Sequence, residues 1–570
     1  MLTFYDFEVY KYDWLVVCID PINRKETVIV NNPVLLNKFF AEHVKDIWIG
    51  YNNRSYDQYI MKGILCDFNP YAISEHIIQK GKSGYSFSKM FNEDYLQFTN
   101  YDVMTTKNMG SLKTLEGFMG HDIRETSVPF DIDRKLTPEE IEQTIKYCRH
   151  DVEETIAVWL AKKNEFDSQM ALVKTFKLPL SYIGKTQAQL AAIILGAKKV
   201  KYNDEWKIRV PETLQLDKYK FVADWFLNEK NHSSDEKLEC DIAGVPHVFA
   251  WGGVHGAISK YSYTCKPDEM LVMADVDQLY PTLMIVYKLL SRGVSDYRKF
   301  KHILSESLRL KALKKKKERE PYKRICNITY GSEGDPFNAM FDPLHRTLVC
   351  VYGQLLVLDL IEKIEPFCEL IQSNTDGILI KIKEKDYDLL DDTVYEWEQR
   401  TGLHMSFDCY EKVIQKDVNN YIVVDYEGHI KSKGAYVKEK NPLDNDLPIL
   451  NEALIKYMTQ GIPVETTINE CQDLIMFQKI YKVSSKYLCG WHNGQRLTDK
   501  TFRVFASTDS RDTFIGKQKS EGANVEQFAN SPAHCFIDNS DITNKDIPQM
   551  LDKSWYIELA KERLTQFGVR

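Results

Sequence analysis

Two groups of acidic residues in this sequence have the spacing of metal ligands. In FYDFEVY the strand period of two points Asp6 and Glu8 to one side. Two such neighbours repel unless a cation lies between them. Asp57 closes NNRSYD, and in YCRHD Tyr147 and Asp151 stand i and i+4 on one helix face. Four carboxylates so gathered suit two divalent ions, one activating a water and the other stabilising a leaving 3′ oxygen, with Tyr147 orienting the water. That is the chemistry of phosphodiester hydrolysis. Asp102, after YLQFTNYD, is an accessory candidate.

The second group suits the opposite reaction, attack of a primer 3′ hydroxyl on a triphosphate. MADVDQLYP ends an apolar strand in Asp275, with Asp277 expected on the same side, and SNTDGILI sets Asp376 in a turn before an apolar run. The protein's task in such a reaction is to position phosphates and neutralise their charge. Between these motifs, residues 298–324 hold twelve Lys or Arg against three Glu. Lys323, Asn327 and Tyr330 fall at i, i+4 and i+7 on one helix face, with Gly331 expected at its end. A lysine there meets phosphate, and a phenol stacks on a base or sugar.

The elements that must position these residues follow from patterning. At 570 residues the chain exceeds one ordinary core, and 44% hydrophobic and 27% charged content is globular. The net charge of −8 is mild and excludes no partner. Twelve cysteines without a C-x-x-C pair argue against a zinc module or a disulfide framework, and for a reducing compartment. The start MLTFYDFEVYKYD lacks the pattern of a signal peptide. TLVCVYGQLLVLDLI is too short to span a membrane, contains Asp359, and reads as a buried helix.

Residues 1 to about 160 read as α/β, with strands at LTFYDFEVY, LVVCI, DIWIGYNN and YLQFTNYDVM. SLKTLEGFMG reads as a small helix ended by Gly120, and LTPEEIEQTIKYCRHDVEETIAVWLAKKNEF as one long helix capped by Thr137 with Glu140. Residues 171–241 read as mostly helical, AWGGVHGAIS as a glycine-rich joint, and NNYIVVDYEGHIKSKGAYV as a strand pair turning at Glu427-Gly428.

Y-D-F-E, N-x-x-Y-D at 53–57 and Y-x-x-x-D at 147–151 resemble the three motifs of the DEDDy class of 3′-5′ exonucleases. D-V-D-Q-L-Y-P at 275–281, K-x-x-x-N-x-x-Y-G at 323–331 and N-T-D-G at 374–377 resemble motifs A, B and C of family B DNA polymerases, in order. The best likeness is to the compact bacteriophage members. W-G-G at 251–253 resembles the segment joining exonuclease and polymerase parts, and K-S-K-G-A-Y at 431–436 the motif that contacts the primer terminus.

The resemblance implies a multidomain α/β and α+β fold, an RNase H-like exonuclease domain followed by a right-hand palm, fingers and thumb. The expected bounds are 1–165 for the exonuclease core, 166–250 for a helical extension, 251–297 and 336–440 for the palm, 298–335 for the fingers, and 441–570 for the thumb and C-terminal region. Asp6, Glu8, Asp57 and Asp151 would bind metal with Tyr147 orienting water, and Asp275 and Asp376 would bind metal in the palm. Lys323 would bind phosphate, Tyr280 would exclude a ribose 2′ hydroxyl, and Asn327 and Tyr330 would line the nucleotide pocket. Asn53, Lys433 and Tyr436 would contact nucleic acid.

The implied cofactors are two Mg²⁺ per site, with Mn²⁺ able to substitute. The implied partners are primer-template DNA, dNTPs and replication accessory proteins, with no membrane. A monomer is expected, in the host cytoplasm if the chain is phage-encoded.

Two departures stand out. Asn374 replaces the usual aspartate of motif C and binds a cation more weakly, while Gly377 replaces a serine and is expected to free the turn. Only 48 residues separate Asp275 from Lys323, and 53 separate Lys323 from Asp376, which argues against the insertions of protein-primed members. An active polymerase with proofreading is expected. The alternatives are an exonuclease whose other half only grips DNA, and a non-enzymatic single-strand-binding scaffold.

Overall fold

The apolar alternation of LTFYDFEV becomes the strand Leu2–Val9, central in a five-stranded sheet. In spatial order its strands are Lys25–Val30, Trp14–Asp20, Leu2–Val9, Ile47–Gly50 and Thr99–Asp102; the first three run antiparallel and the last two join in parallel. Tyr5 and Phe7 enter one apolar core with Trp48 and Ile60, whereas Phe4 enters another with Ile49, Val152 and Trp159. Asp6 and Glu8 therefore share the Phe4 face, which the helix Pro138–Ala161 covers. The computed structural model describes residues 1–89 and 96–569, so Tyr95, at the start of the expected YLQFTNYDVM strand, lies outside the described residues.

Thr137 and Glu140 form the expected reciprocal cap, with Glu140 N donating to Thr137 Oγ1 at 3.2 Å and Thr137 N to Glu140 Oε2 at 2.8 Å. Helix Leu112–Met119 ends on Gly120 at φ 82°, as expected. The long helix is shorter than the sequence implies. It stops at Ala161, and Lys163–Thr175 is a separate helix, because Lys162 leaves helical geometry and its ammonium reaches Thr105 Oγ1 at 2.8 Å.

The chain forms a multidomain, mixed α/β and α+β architecture of two units. One comprises Met1–Thr186, Lys440–Ile449 and Glu470–Tyr556; the other comprises Gln187–Glu439, Leu450–Asn469 and Ile557–Arg570. Within the first, the strand Thr501–Ala506 is buried throughout and lies between Lys479–Lys482 and Cys535–Ile537.

The second unit is built on a seven-stranded antiparallel sheet. Its order is Met405–Tyr410, Glu269–Val276, Gly377–Lys383, Glu369–Asn374, Gly253–Ala257, Val245–Ala250 and Lys237–Ile242. The helix Pro343–Ile364 is buried along most of its length, and Asp359 within it is paired with Arg400 at 2.8 Å. The expectation of mostly helix over 171–241 holds only in part. Gln187–Leu195 and Lys220–Leu227 are helical, but Gly196 turns to φ 65° and the stretch 201–210 has no helix or strand. Among the described residues no helix is long and apolar enough to cross a membrane.

Candidate functional site

In the first unit, three elements bring the predicted carboxylates together. Asp6 and Glu8 project from the central strand, Asp57 opens the helix Asp57–Leu65, and Tyr147 and Asp151 come from Pro138–Ala161. Asp57 Oδ1 accepts from Phe7 N at 3.2 Å, which fixes it against the strand between Asp6 and Glu8. Burial, then Asp57 and Glu8, push Asp6 well above the usual carboxylate range; burial, then Asp151 and Asp57, do the same to Glu8. Burial pushes Asp57 up to about 7, and pushes Asp151 up to about 6 against the opposing pull of Lys113. These are hard oxygen donors whose mutual repulsion a divalent cation relieves, so the set fits Mg²⁺ or Mn²⁺.

Asp102 acts behind this group. Its carboxylate accepts from Asn52 N and Met104 N, both at 2.9 Å, and from Arg54 N at 3.1 Å, shaping the loop that delivers Asp57. Asn53 is fully buried and donates to Asn100 Oδ1 at 2.9 Å and Tyr101 O at 3.2 Å.

Sequence reasoning missed four neighbours. Lys113 bonds Asp151, lies 4.7 Å from the Tyr147 ring centre and donates to Glu116 at 3.0 Å. Glu116, His150 and Asp151 could also ligate one ion, as could Asp6 and Glu8 with Cys148. Cys148, its thiol pushed up by burial, donates to Asp6 O at 3.3 Å. Lys113 and Glu116 carry only an i,i+3 signal, which reads as a surface ion pair. A further acidic group, Asp425, Glu427 and His429, sits on a hairpin turn, where Asp425 accepts from Glu427 N and His429 N.

In the second unit, Asp275 is the penultimate residue of the strand Glu269–Val276 and Asp376 sits in the turn between Glu369–Asn374 and Gly377–Lys383. Asp275 is raised by burial and then by Asp376, with Lys431 and Lys433 pulling the other way. A cavity of about 500 Å³ is lined by Asp376, Tyr280, Asn327, Tyr330, Asn374 and Lys433, among others, while Asp275 is not among its lining residues. The Tyr280 and Tyr330 rings lie 4.1 Å apart, and the Tyr330 hydroxyl contacts Cys350 Sγ at 2.7 Å.

Not every predicted residue joins the cavity. Lys323 shares the helix Lys316–Glu333 with Asn327 and Tyr330 but is exposed and does not line it; the helix also runs past Gly331. Tyr436 lies against Lys416 and Arg563. Asp277 follows the strand's last residue, so the period of two lapses there, and its carboxylate is bonded by Lys311 and by Ser406 at 3.2 Å.

Two glycines explain the motifs differently from the sequence reading. Gly377 has no left-handed φ to free; a Cβ there would overlap Asp275 Oδ1. Gly253, in W-G-G, holds φ 154° and leaves room for Thr375, whose hydroxyl accepts from Val254 N at 3.2 Å. The Asn374 Oδ1 amide oxygen lies 3.4 Å from His255 Nδ1.

No protein-family model matches the chain, and no curated protein matches it. The chain has a distant structural similarity to the family B DNA polymerase from the hyperthermophilic archaeon Pyrobaculum calidifontis, with 13% identity and a TM-score of 0.42 over 99% of this chain and 77% of that one.

Proposed function

We propose that the chain is a template-directed DNA polymerase with 3′-5′ exonuclease activity. The observation that carries the reading is Asp376 in a cavity lined by Tyr280, Asn327, Tyr330 and Lys433, with Asp275 on the adjoining strand opposite Gly377. Carboxylates at a strand end and an adjoining turn, next to a pocket walled by two phenols and an amide, suit a nucleoside triphosphate. Mg²⁺, when bound, supplies charge neutralisation and lowers the pKa of an attacking hydroxyl.

The chain's own residues do the rest. Asp275 and Asp376 hold the cations, and Lys433 offers an ammonium to the primer backbone. Tyr280, held against Tyr330, narrows the cavity where a ribose 2′ hydroxyl would sit, while Asn327 contributes an amide. In the first unit Asp6, Glu8, Asp57 and Asp151 hold the cations for hydrolysis, and the Tyr147 phenol orients water. Burial raises that phenol, so it stays protonated and able to donate.

The domain reading follows the motifs. The sheet order of residues 1–165 supports an RNase H-like core, and five strands of the seven-stranded antiparallel sheet support a palm in 251–297 and 336–440, with fingers in 298–335; its other two strands, Lys237–Ile242 and Val245–Ala250, fall in the 166–250 extension. Of 441–570, only Leu450–Asn469 and Ile557–Arg570 belong to the second unit, which narrows the proposed thumb to those segments. Replication accessory proteins remain proposed partners, with compact phage enzymes the nearest type by motif.

The test is extension of a labelled primer-template by the full-length protein with dNTPs and Mg²⁺. Extension lost in Asp376→Asn, with 3′ hydrolysis retained, is the expected result. Hydrolysis without any extension would instead favour a nuclease whose second unit grips DNA, and neither activity would favour a binding scaffold.

A further inference from the structure

The helix Leu112–Met119 brings two charged residues to the first carboxylate group that the proposed hydrolysis does not itself call for. Lys113 bonds Asp151 and lies over the Tyr147 ring, and Glu116, one turn along, accepts from the same ammonium at 3.0 Å. Glu116 is wholly buried, a costly place for a carboxylate unless it is paired. Only one of its oxygens is bonded. Among the described residues Glu116 Oε2 has no hydrogen-bond partner, and neither has His150 Nε2, 3.7 Å away.

An ammonium among carboxylates is a rival to a divalent cation, because both are drawn by the same charge. With no other anion to attract it, Lys113 would settle on Asp151 and neutralise a group that the cation needs. Glu116 offers the ammonium a second carboxylate and so divides its hold.

The helix is also fixed at its C-terminal end, where carbonyls lack partners within the helix. Arg503 donates to Gly117 O at 3.3 Å and His121 O at 2.6 Å, Gln478 Nε2 to Phe118 O at 3.0 Å, and Ile542 N to Gly120 O at 2.9 Å. A Cβ on Gly117 would come within 2.8 Å of Ile480 Cδ1, so the helix lies flush on the strand Lys479–Lys482. The placement of Lys113 and Glu116 is thus set from the C-terminal part of the same unit.

We infer that Glu116 is a positioning residue: by sharing the Lys113 ammonium it leaves Asp151 available to a divalent cation. The inference rests on the reading of Asp6, Glu8, Asp57 and Asp151 as cation ligands.

The test is Mn²⁺ binding to the full-length protein, followed by electron paramagnetic resonance, with Asp6→Asn identifying the binding that belongs to this group. Glu116→Gln weakens the Asp6-dependent binding about three- to tenfold with the circular dichroism spectrum unchanged. The double variant Lys113→Met/Glu116→Gln, which removes the ammonium and its partner together, restores the wild-type affinity. The Mg²⁺ concentration for half-maximal hydrolysis moves in parallel, while the rate of Glu116→Gln at saturating Mg²⁺ returns towards the wild type.

Unchanged Mn²⁺ affinity in Glu116→Gln overturns the inference. So does a double variant as weak as the single one, or a wild type with no Asp6-dependent binding. Should Glu116→Gln fail to fold, Lys113→Met alone decides: binding at least as tight as the wild type supports the inference, and weaker binding overturns it. If the wild type binds Mn²⁺ but hydrolyses nothing, the exonuclease reading fails while the Mn²⁺ affinities still decide the role of Glu116.

Discussion

Gly377 stands directly across the antiparallel ladder from Asp275, and the Asp275 carboxylate fills the space that a side chain at 377 would need. Gly377→Ala is therefore expected to push that carboxylate aside. A displacement of about 1 Å at a reacting centre costs about a hundredfold in rate. Single-nucleotide addition should fall by about that factor while 3′ hydrolysis, in the other unit, stays constant. Addition at the wild-type rate would mean that Asp275 is not where the chemistry occurs.

Tyr280 is held by Tyr330, with ring centres 4.1 Å apart, so its truncation has two effects. Tyr280→Ala should open the cavity to a 2′ hydroxyl and raise ribonucleotide incorporation relative to deoxyribonucleotide by about tenfold or more. It should also loosen Tyr330 and raise the KM for dNTPs. Competition assays with paired rNTP and dNTP substrates separate the two, and an unaltered sugar preference would remove Tyr280 from the gate.

The buried carboxylates give the cation-free protein a defined pH response. Asp57 has an ordinary value of 3.8 and is pushed up to about 7 in the fold. The folded state binds its proton more tightly, so the stability that this group contributes is full below pH 3.8 and is lost as pH rises through about 7. In EDTA the first melting transition should therefore fall between about pH 5 and pH 8, and Mg²⁺ should reverse the fall at the upper end. Asp57→Asn should flatten the profile. A wild-type profile in EDTA as flat as that of the variant would contradict this.

Arg503 is fully buried, and its guanidinium makes five hydrogen bonds, to Gln478, Asp538 O, Ser540 O, Gly117 O and His121 O. Burial pulls it down to about 10, which still leaves it charged at neutral pH. Arg503→Met should cost roughly 3–5 kcal/mol, because buried carbonyls lose their donor. Urea unfolding followed by far-UV circular dichroism measures that loss. A partly destabilised protein should lose hydrolysis before extension, since the helix carrying Lys113 loses its anchor.

What the sequence made legible was local. The period of two brought Asp6 and Glu8 to one face, and the four-residue spacing brought Tyr147 and Asp151 together, because strand and helix geometry operate within a few residues. The cap at Thr137 was visible for the same reason. Lys113 and Asp151 are 38 positions apart and Arg503 and Gly117 are 386 apart, so no periodicity links them. Gly377 was misread because its reason lies on another strand, and register across a sheet has no local signature.

The division of the chain has a consequence for its synthesis. It passes between the two units five times, after residues 186, 439, 449, 469 and 556. The five-stranded sheet leaves the ribosome before the strands that seat its helix Leu112–Met119, which emerge some 360 residues later. A fragment ending at Thr186 would expose the carbonyls of Gly117 and His121 that Arg503 covers. A ribosome stalled before residue 478 would therefore release Asp6, Glu8, Asp57 and Asp151 on a chain whose Lys113 is not yet seated.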